Sequence, residues 1–68
     1  MKLGARNQLK GTVKSVTKGH TTAHVEIEVG GIELTASIAN DAVDALKLKV
    51  GHAAYAVVKV SDVMIGVD

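Results

Sequence analysis

Ala23-His24-Val25-Glu26-Ile27-Glu28-Val29-Gly30-Gly31-Ile32-Glu33-Leu34-Thr35-Ala36-Ser37-Ile38 is the stretch whose reading decides the fold. Ala23, Val25, Ile27 and Val29 alternate with Thr22, His24, Glu26 and Glu28, and beyond the glycines Ile32, Leu34, Ala36 and Ile38 alternate with Glu33, Thr35 and Ser37. A period of two sends each apolar set to one face of a strand. Gly30-Gly31 tolerates positive φ, so the two runs are predicted to be strands two and three of a hairpin.

Working outward, Lys18-Gly19-His20-Thr21 breaks the alternation as a turn. Before it, Leu9, Gly11, Val13 and Ser15 face one way and Gln8, Lys10, Thr12 and Lys14 the other, which predicts strand one over Asn7 to Thr17. After the hairpin, Asn40 suits the cap of a short helix, Asp41 and Asp44 suit its positive N-terminal end, and Val43 with Leu46 form an apolar i,i+3 pair. Val50-Gly51 is expected to close it. Strand four is expected over Ala53 to Val60, and a last strand over Val63-Met64-Ile65-Gly66-Val67.

Both late strands are apolar on nearly every residue, so both of their faces need cover. In an antiparallel domain this small, one cover has to come from another chain. The order strand, strand, strand, helix, strand, strand predicts an all-β fold: a five-stranded Greek-key barrel of the oligonucleotide/oligosaccharide-binding (OB) type, with one short helix between strands three and four. One domain over 1–68 is expected, with no internal repeat or linker.

Composition sharpens this. A core in a chain of 68 residues is marginal and usually needs a staple or a partner, and the absence of cysteine removes disulfides and thiolate metal sites. The apolar fraction of 47% is mostly Val and Ala, with one Tyr and no Phe or Trp. Each buried Val or Ile contributes only about 1.5–3 kcal/mol, so self-association is expected to complete the fold. The net charge of +1 gives no long-range field for nucleic acid or an acidic membrane. Met1-Lys2-Leu3-Gly4 is too polar for a signal peptide and no apolar run approaches a membrane span, so a soluble cytoplasmic protein is expected.

The chemistry rests on few residues. Lys59 interrupts the otherwise apolar run Ala53-Ala54-Tyr55-Ala56-Val57-Val58-Lys59-Val60, where a cation is tolerated if an anion or solvent meets it. Arg6, in Gly4-Ala5-Arg6-Asn7, is its expected companion, two cations beside small residues making a pocket for a compact anion. On its own, Lys59 equally fits an edge-strand gatekeeper that snorkels to solvent, and Arg6 a surface ion pair worth about 0–1 kcal/mol. His20 and His24 do not converge in a turn and strand, His52 follows a turn glycine, and no metal site is expected. Gly30-Gly31 joins two strands and opens no helix, unlike a phosphate-binding loop. Asp41 and Asp44 belong to a helix start, so no catalytic residues, and no enzyme, are expected.

Three blocks then carry a family resemblance: Gly4-Ala5-Arg6-Asn7-Gln8-Leu9-Lys10-Gly11-Thr12-Val13, Leu34-Thr35-Ala36-Ser37-Ile38-Ala39-Asn40, and Tyr55-Ala56-Val57-Val58-Lys59-Val60-Ser61-Asp62-Val63. Together they resemble the molbindins, the molybdate-binding Mop domains, over almost the whole chain and with matching spacing. The family's blocks read Ser-Ala-Arg-Asn, Ile-Thr-Asn-x-Ser and Ile-Lys-Ala-Ser or close variants.

The resemblance implies that Arg6 and Lys59 supply positive charge, that Ala5 and Val60 offer backbone amides, and that Ser61 adds a hydroxyl or positions the lysine. It places Gly4, Ala39 and Ala42 where the family has Ser, Thr and Ser. Three hydroxyl donors are thus missing, each worth roughly 0.5–1.5 kcal/mol, which weakens affinity or leaves those positions to backbone amides and water. The resemblance also implies a hexamer, a trimer of dimers with oxyanion sites between subunits. A second kind of site near the threefold axis would fall on Gly19-His20-Thr21-Thr22, where the family commonly reads Gly-Ala-Val-Asn.

Physical chemistry agrees with that ligand. Molybdate is a tetrahedral dianion whose oxygens only accept hydrogen bonds at neutral pH, so its pocket presents donors alone, at about 2.7–2.9 Å. Arginine gives a fixed fork and lysine a compact point charge. Phosphate keeps a proton near pH 7 that would face donors, a penalty against it, whereas sulfate must be refused by cavity size and tungstate is hardly refused at all. The expected function is molybdate or tungstate binding for storage or homeostasis. The rivals are a structural oligomerisation domain with weakened anion binding and a single-strand nucleic-acid module, which Tyr55 alone and a near-neutral charge support poorly.

Overall fold

The alternating runs produce the hairpin. β2 (Thr22–Val29) and β3 (Ile32–Ala39) pair antiparallel with Val29 opposite Ile32, and Gly30 (φ 55°) and Gly31 (φ 85°) both take the left-handed backbone that a twist-matched two-residue turn requires. A computed structural model describes residues 6–68. β1 (Asn7–Lys18) pairs antiparallel with β2 on one side and with β4 (Ala53–Val58) on the other, giving the order β3-β2-β1-β4. Three consecutive strands with the fourth returning beside the first is the Greek-key order. The sheet is open: β3 and β4 are its edges.

β1 runs one residue further than expected, with Lys18 opposite Ala23. It also carries a bulge that period-two counting misses. Val13 faces Ile27 but Ser15 faces Glu26, so one extra residue is absorbed at Lys14 and Val16, not Ser15, shares the core face with Val13. Upstream of the bulge, Gly11 lies hard against β2: a Cβ there would sit 2.8 Å from methyl groups of Ile27 and Val29 and collide with the Glu28 carbonyl oxygen.

The core is small. Val13, Ala23, Val25 and Ile27 of the sheet are buried together with Val43 of α1 (Asn40–Ala45), which follows β3. Asn40 is not the helix cap: Ala39 holds the capping position, and the Asn40 side chain turns back to donate from Nδ2 to the Gly19 carbonyl at 3.0 Å. A contact between the first residue of α1 and the β1–β2 turn, across 21 positions of sequence, takes the place of the local cap.

The helix also ends earlier than Val50-Gly51. Lys47 takes a left-handed backbone (φ 53°), its amide reaches the Asp44 carbonyl at 3.1 Å, and the Leu48 amide reaches the Val43 carbonyl at 3.1 Å. These two bonds make a Schellman stop with a lysine in the place glycine usually fills. Leu46 therefore swings out to 66% exposure, and Leu48 packs on the core in its stead. Gly51 instead donates to the Val13 carbonyl at 2.8 Å, while the Val13 amide bonds the His52 carbonyl at 2.9 Å, seating the turn before β4 on the bulge of β1.

β4 stops at Val58, two residues short of expectation. Lys59 leads into a 3-10 turn, Val60–Asp62, closed by the Asp62 amide on the Lys59 carbonyl at 2.9 Å, so that carbonyl is spent locally. The fifth strand expected over Val63–Val67 does not form within the chain. Among the described residues that segment has no ladder partner, and the expected five-stranded barrel is there an open four-stranded sheet with one short helix.

Candidate functional site

The β1–β4 register determines how the two cations meet. Asn7 pairs with Val58 and Gln8 with Val57, and Arg6 and Lys59 are the next residue on each strand beyond the last pair, at the same end of the ladder. Residues 53 positions apart are thereby set at one end of two hydrogen-bonded strands. Both side chains are exposed, and neither makes an ion pair with a described carboxylate. The ion pairs among the described residues lie elsewhere: Lys18 Nζ to Asp44 Oδ1 at 2.6 Å and Lys14 Nζ to Glu28 Oε2 at 3.8 Å. An end carrying two cations and no paired carboxylate is electrostatically open to an anion.

Val60 and Ser61 follow directly as the first residues of the 3-10 turn. The turn's own hydrogen bonds use the amides of Asp62 and Val63, which leaves those of Val60 and Ser61 outside it. Gly4 and Ala5 lie outside the described residues.

A second group assembles at the other end of β1. Thr22 pairs with Ala39, the Asn40 amide donates to the Thr21 carbonyl at 2.9 Å, and the Gly19 amide donates to the Thr22 carbonyl at 2.8 Å. The turn Gly19-His20-Thr21-Thr22 thus sits against Ala39 and Asn40, joining two parts of the expected site that the sequence presents as unrelated. Asn40 ties them, with its Oδ1 buried and without a partner among the described residues.

The two groups are separated by the length of β1. Twelve residues of strand span roughly 36 Å of contour, so one chain does not bring Arg6 and Lys59 together with Ala39 and Ala42. A site using all of them needs two copies.

His24 is exposed on β2, His20 in the turn and His52 before β4. A cavity of about 350 Å³, rimmed by Lys18, Lys47, Lys49 and Asp44 over Val43 and Leu48, escaped the sequence reading because its lysines come from the end of β1 and from beyond α1.

Comparison with known proteins follows this geometry. The pattern described as the TOBE domain matches residues 4–65, from the Arg6 block through the Lys59 block. A probable molybdenum-pterin-binding protein of Haemophilus influenzae is 46% identical over 69 residues, covering all of both chains. The chain belongs to the TOBE-domain family, among the molbindins.

Two solved molbindin-like structures share the fold. A molybdate-binding protein from Sporomusa ovata superposes with a TM-score of 0.90 at 37% identity, covering 96% of this chain and 97% of that one. The cytoplasmic molybdate-binding protein ModG, solved with molybdate bound, superposes with a TM-score of 0.93 at 43% identity; this chain is covered fully and spans 49% of ModG. All three relatives are named as binding proteins, not enzymes. Among the described residues, no helix is long and apolar enough to cross a membrane.

Proposed function

We infer that this molbindin binds molybdate, with tungstate as a close surrogate, and serves molybdenum storage or homeostasis in the cytoplasm as one domain spanning 1–68. The anion lies between copies of a homo-oligomer, a hexamer built as a trimer of dimers. Arg6 and Lys59 at one end of the β1–β4 ladder, neither in an ion pair among the described residues, is the observation that carries this reading. The names of the relatives support the ligand. Arg6 and Lys59 supply charge, the amides of Gly4, Ala5, Val60 and Ser61 supply donors, and Ala39 and Ala42 approach from a neighbouring copy through backbone amides and water. Gly19, His20, Thr21 and Thr22 form a second oxyanion site where copies meet. No bond is made or broken, so binding is reversible.

Isothermal titration with molybdate, sulfate and phosphate tests this. Saturable heat with molybdate well above that with the other two is expected; equal or absent heats for all three remove the reading.

One observation favours a second reading. Gly4, Ala39 and Ala42 offer no hydroxyl, which suits an assembly domain whose anion affinity has decayed. The two readings part on whether restored hydroxyls raise affinity.

A further inference from the structure

Lysines from two distant parts of the chain rim one cavity. Lys18 ends β1, Lys47 and Lys49 follow α1, and between them lies a hollow of about 350 Å³ floored by Val43 and Leu48. Asp44 is the one carboxylate among its lining residues, and Lys18 already holds it at 2.6 Å. Lys47 and Lys49 make no ion pair among the described residues. The cavity is therefore cationic at the rim and apolar at the floor.

The backbone fixes the segment that carries the two unpaired lysines. The Lys47 amide donates to the Asp44 carbonyl, the Leu48 amide to the Val43 carbonyl and the His52 amide to the Lys49 carbonyl, each at 3.1 Å. A helix C-terminus is ordinarily unfavourable to an anion because its last carbonyls are unsatisfied. Here the carbonyls of Ala42, Val43 and Asp44 are taken by the amides of Leu46, Leu48 and Lys47, so the ammonium groups dominate the local field. Lys47 is also the one residue other than glycine with a positive φ (53°) among the described residues. Glycine would take that backbone without strain, and strain held at the rim of a cavity is a mark of a ligand-facing residue.

Volume and polarity choose the ligand. The hollow holds roughly ten times the ~30 Å³ share of a liquid water and falls at the small end of the range for organic ligands. A bare tetrahedral oxyanion would leave the Val43 and Leu48 floor in water, and a neutral apolar molecule would leave the lysines unmatched. We propose that this cavity binds a small phosphate monoester with an apolar or aromatic body. The phosphoryl dianion lies between Lys47 and Lys49, whose compact charges suit it, and the body covers Val43 and Leu48. None of the lining residues is among those assigned to molybdate, so this site stands or falls apart from that reading.

Nuclear magnetic resonance titration of the full chain with phenyl phosphate, inorganic phosphate and phenol separates head from body. Phenyl phosphate is expected to move the amide signals of Val43, Lys47, Leu48 and Lys49 saturably, at lower concentration than the other two, and to do so unchanged with stoichiometric molybdate present. Lys47→Gly and Lys49→Ala are each expected to weaken it about two- to fivefold, the range of one exposed ion pair, and Asp44→Asn to tighten it by a similar factor. Lys47→Gly relieves the strained backbone and Lys49→Ala changes an exposed side chain, so both keep the fold. Equal affinity for phenyl phosphate and inorganic phosphate, shifts that spread to Lys10 and Lys14 without saturating, or wild-type affinity in both lysine variants overturns the proposal. Displacement by stoichiometric molybdate overturns it too. Saturable phenyl phosphate binding in a protein that takes no molybdate leaves this site standing and removes only the molybdate reading.

Discussion

Arg6 and Lys59 each follow by one residue the last pair of the β1–β4 ladder, Asn7 with Val58, so both cations stand at the same end of it. Strand pairing, not sequence proximity, sets the cations side by side. Like charges at neighbouring cross-strand positions repel, so this arrangement is mildly unfavourable in the empty protein and is relieved when a dianion enters.

Arg6→Ala and Lys59→Ala are each expected to lower molybdate affinity about ten- to a hundredfold, since a hydrogen bond to a charged group contributes about 1.5–3 kcal/mol. Thermal stability of the anion-free protein should hold or rise slightly, because a repulsive neighbour is removed. Titration calorimetry beside thermal melts checks both. Lost affinity together with collapsed stability would mark the pair as structural.

Ala39→Thr with Ala42→Ser restores two hydroxyls at the α1 end of β3. At roughly 0.5–1.5 kcal/mol each, the double variant should bind molybdate about five- to a hundredfold more tightly. Unchanged affinity favours the structural oligomer.

Gly11→Ala should be strongly destabilising. Its Cβ meets the Glu28 carbonyl and lies 2.8 Å from methyls of Ile27 and Val29, contacts that β2 can relieve only by shifting, at about 1–3 kcal/mol or more. Denaturant unfolding measures the loss. Wild-type stability would mean that β1 and β2 are further apart than described.

Lys47→Gly should stabilise the protein by about 0.5–1 kcal/mol, since a left-handed φ of 53° strains a side-chain-bearing residue at a Schellman stop. A higher midpoint with an unchanged denaturant slope is the expected result. A drop would show that the Lys47 side chain contributes more than its backbone costs.

The hairpin was legible because strict alternation around Gly30-Gly31 has one local solution. The bulge at Lys14 was not, because an extra residue inserted opposite β2 is a property of two strands, invisible in either. Asn40 was misread for a related reason: a local cap was the obvious use of its amide, and the Gly19 carbonyl that takes it arrives only when β3 folds against the β1–β2 turn. The segment Val63–Val67 has every local mark of a strand, but a strand needs a partner, and none of the described strands pairs with it. For the site, residue types and blocks pointed to Arg6 and Lys59, and the register supplied their adjacency. That the remaining candidates fall at the far end of β1 follows from strand length and pairing, which a linear reading does not add up.

Native mass spectrometry of the protein with molybdate, beside the same experiment on Arg6→Ala, tests most directly whether two copies hold one anion between them. The account predicts molybdate on the oligomer, none on the monomer released at high dilution, and an Arg6→Ala oligomer of unchanged size that carries markedly less at the same molybdate concentration. Molybdate retained by the isolated monomer, or bound equally by the Arg6→Ala oligomer, would contradict it.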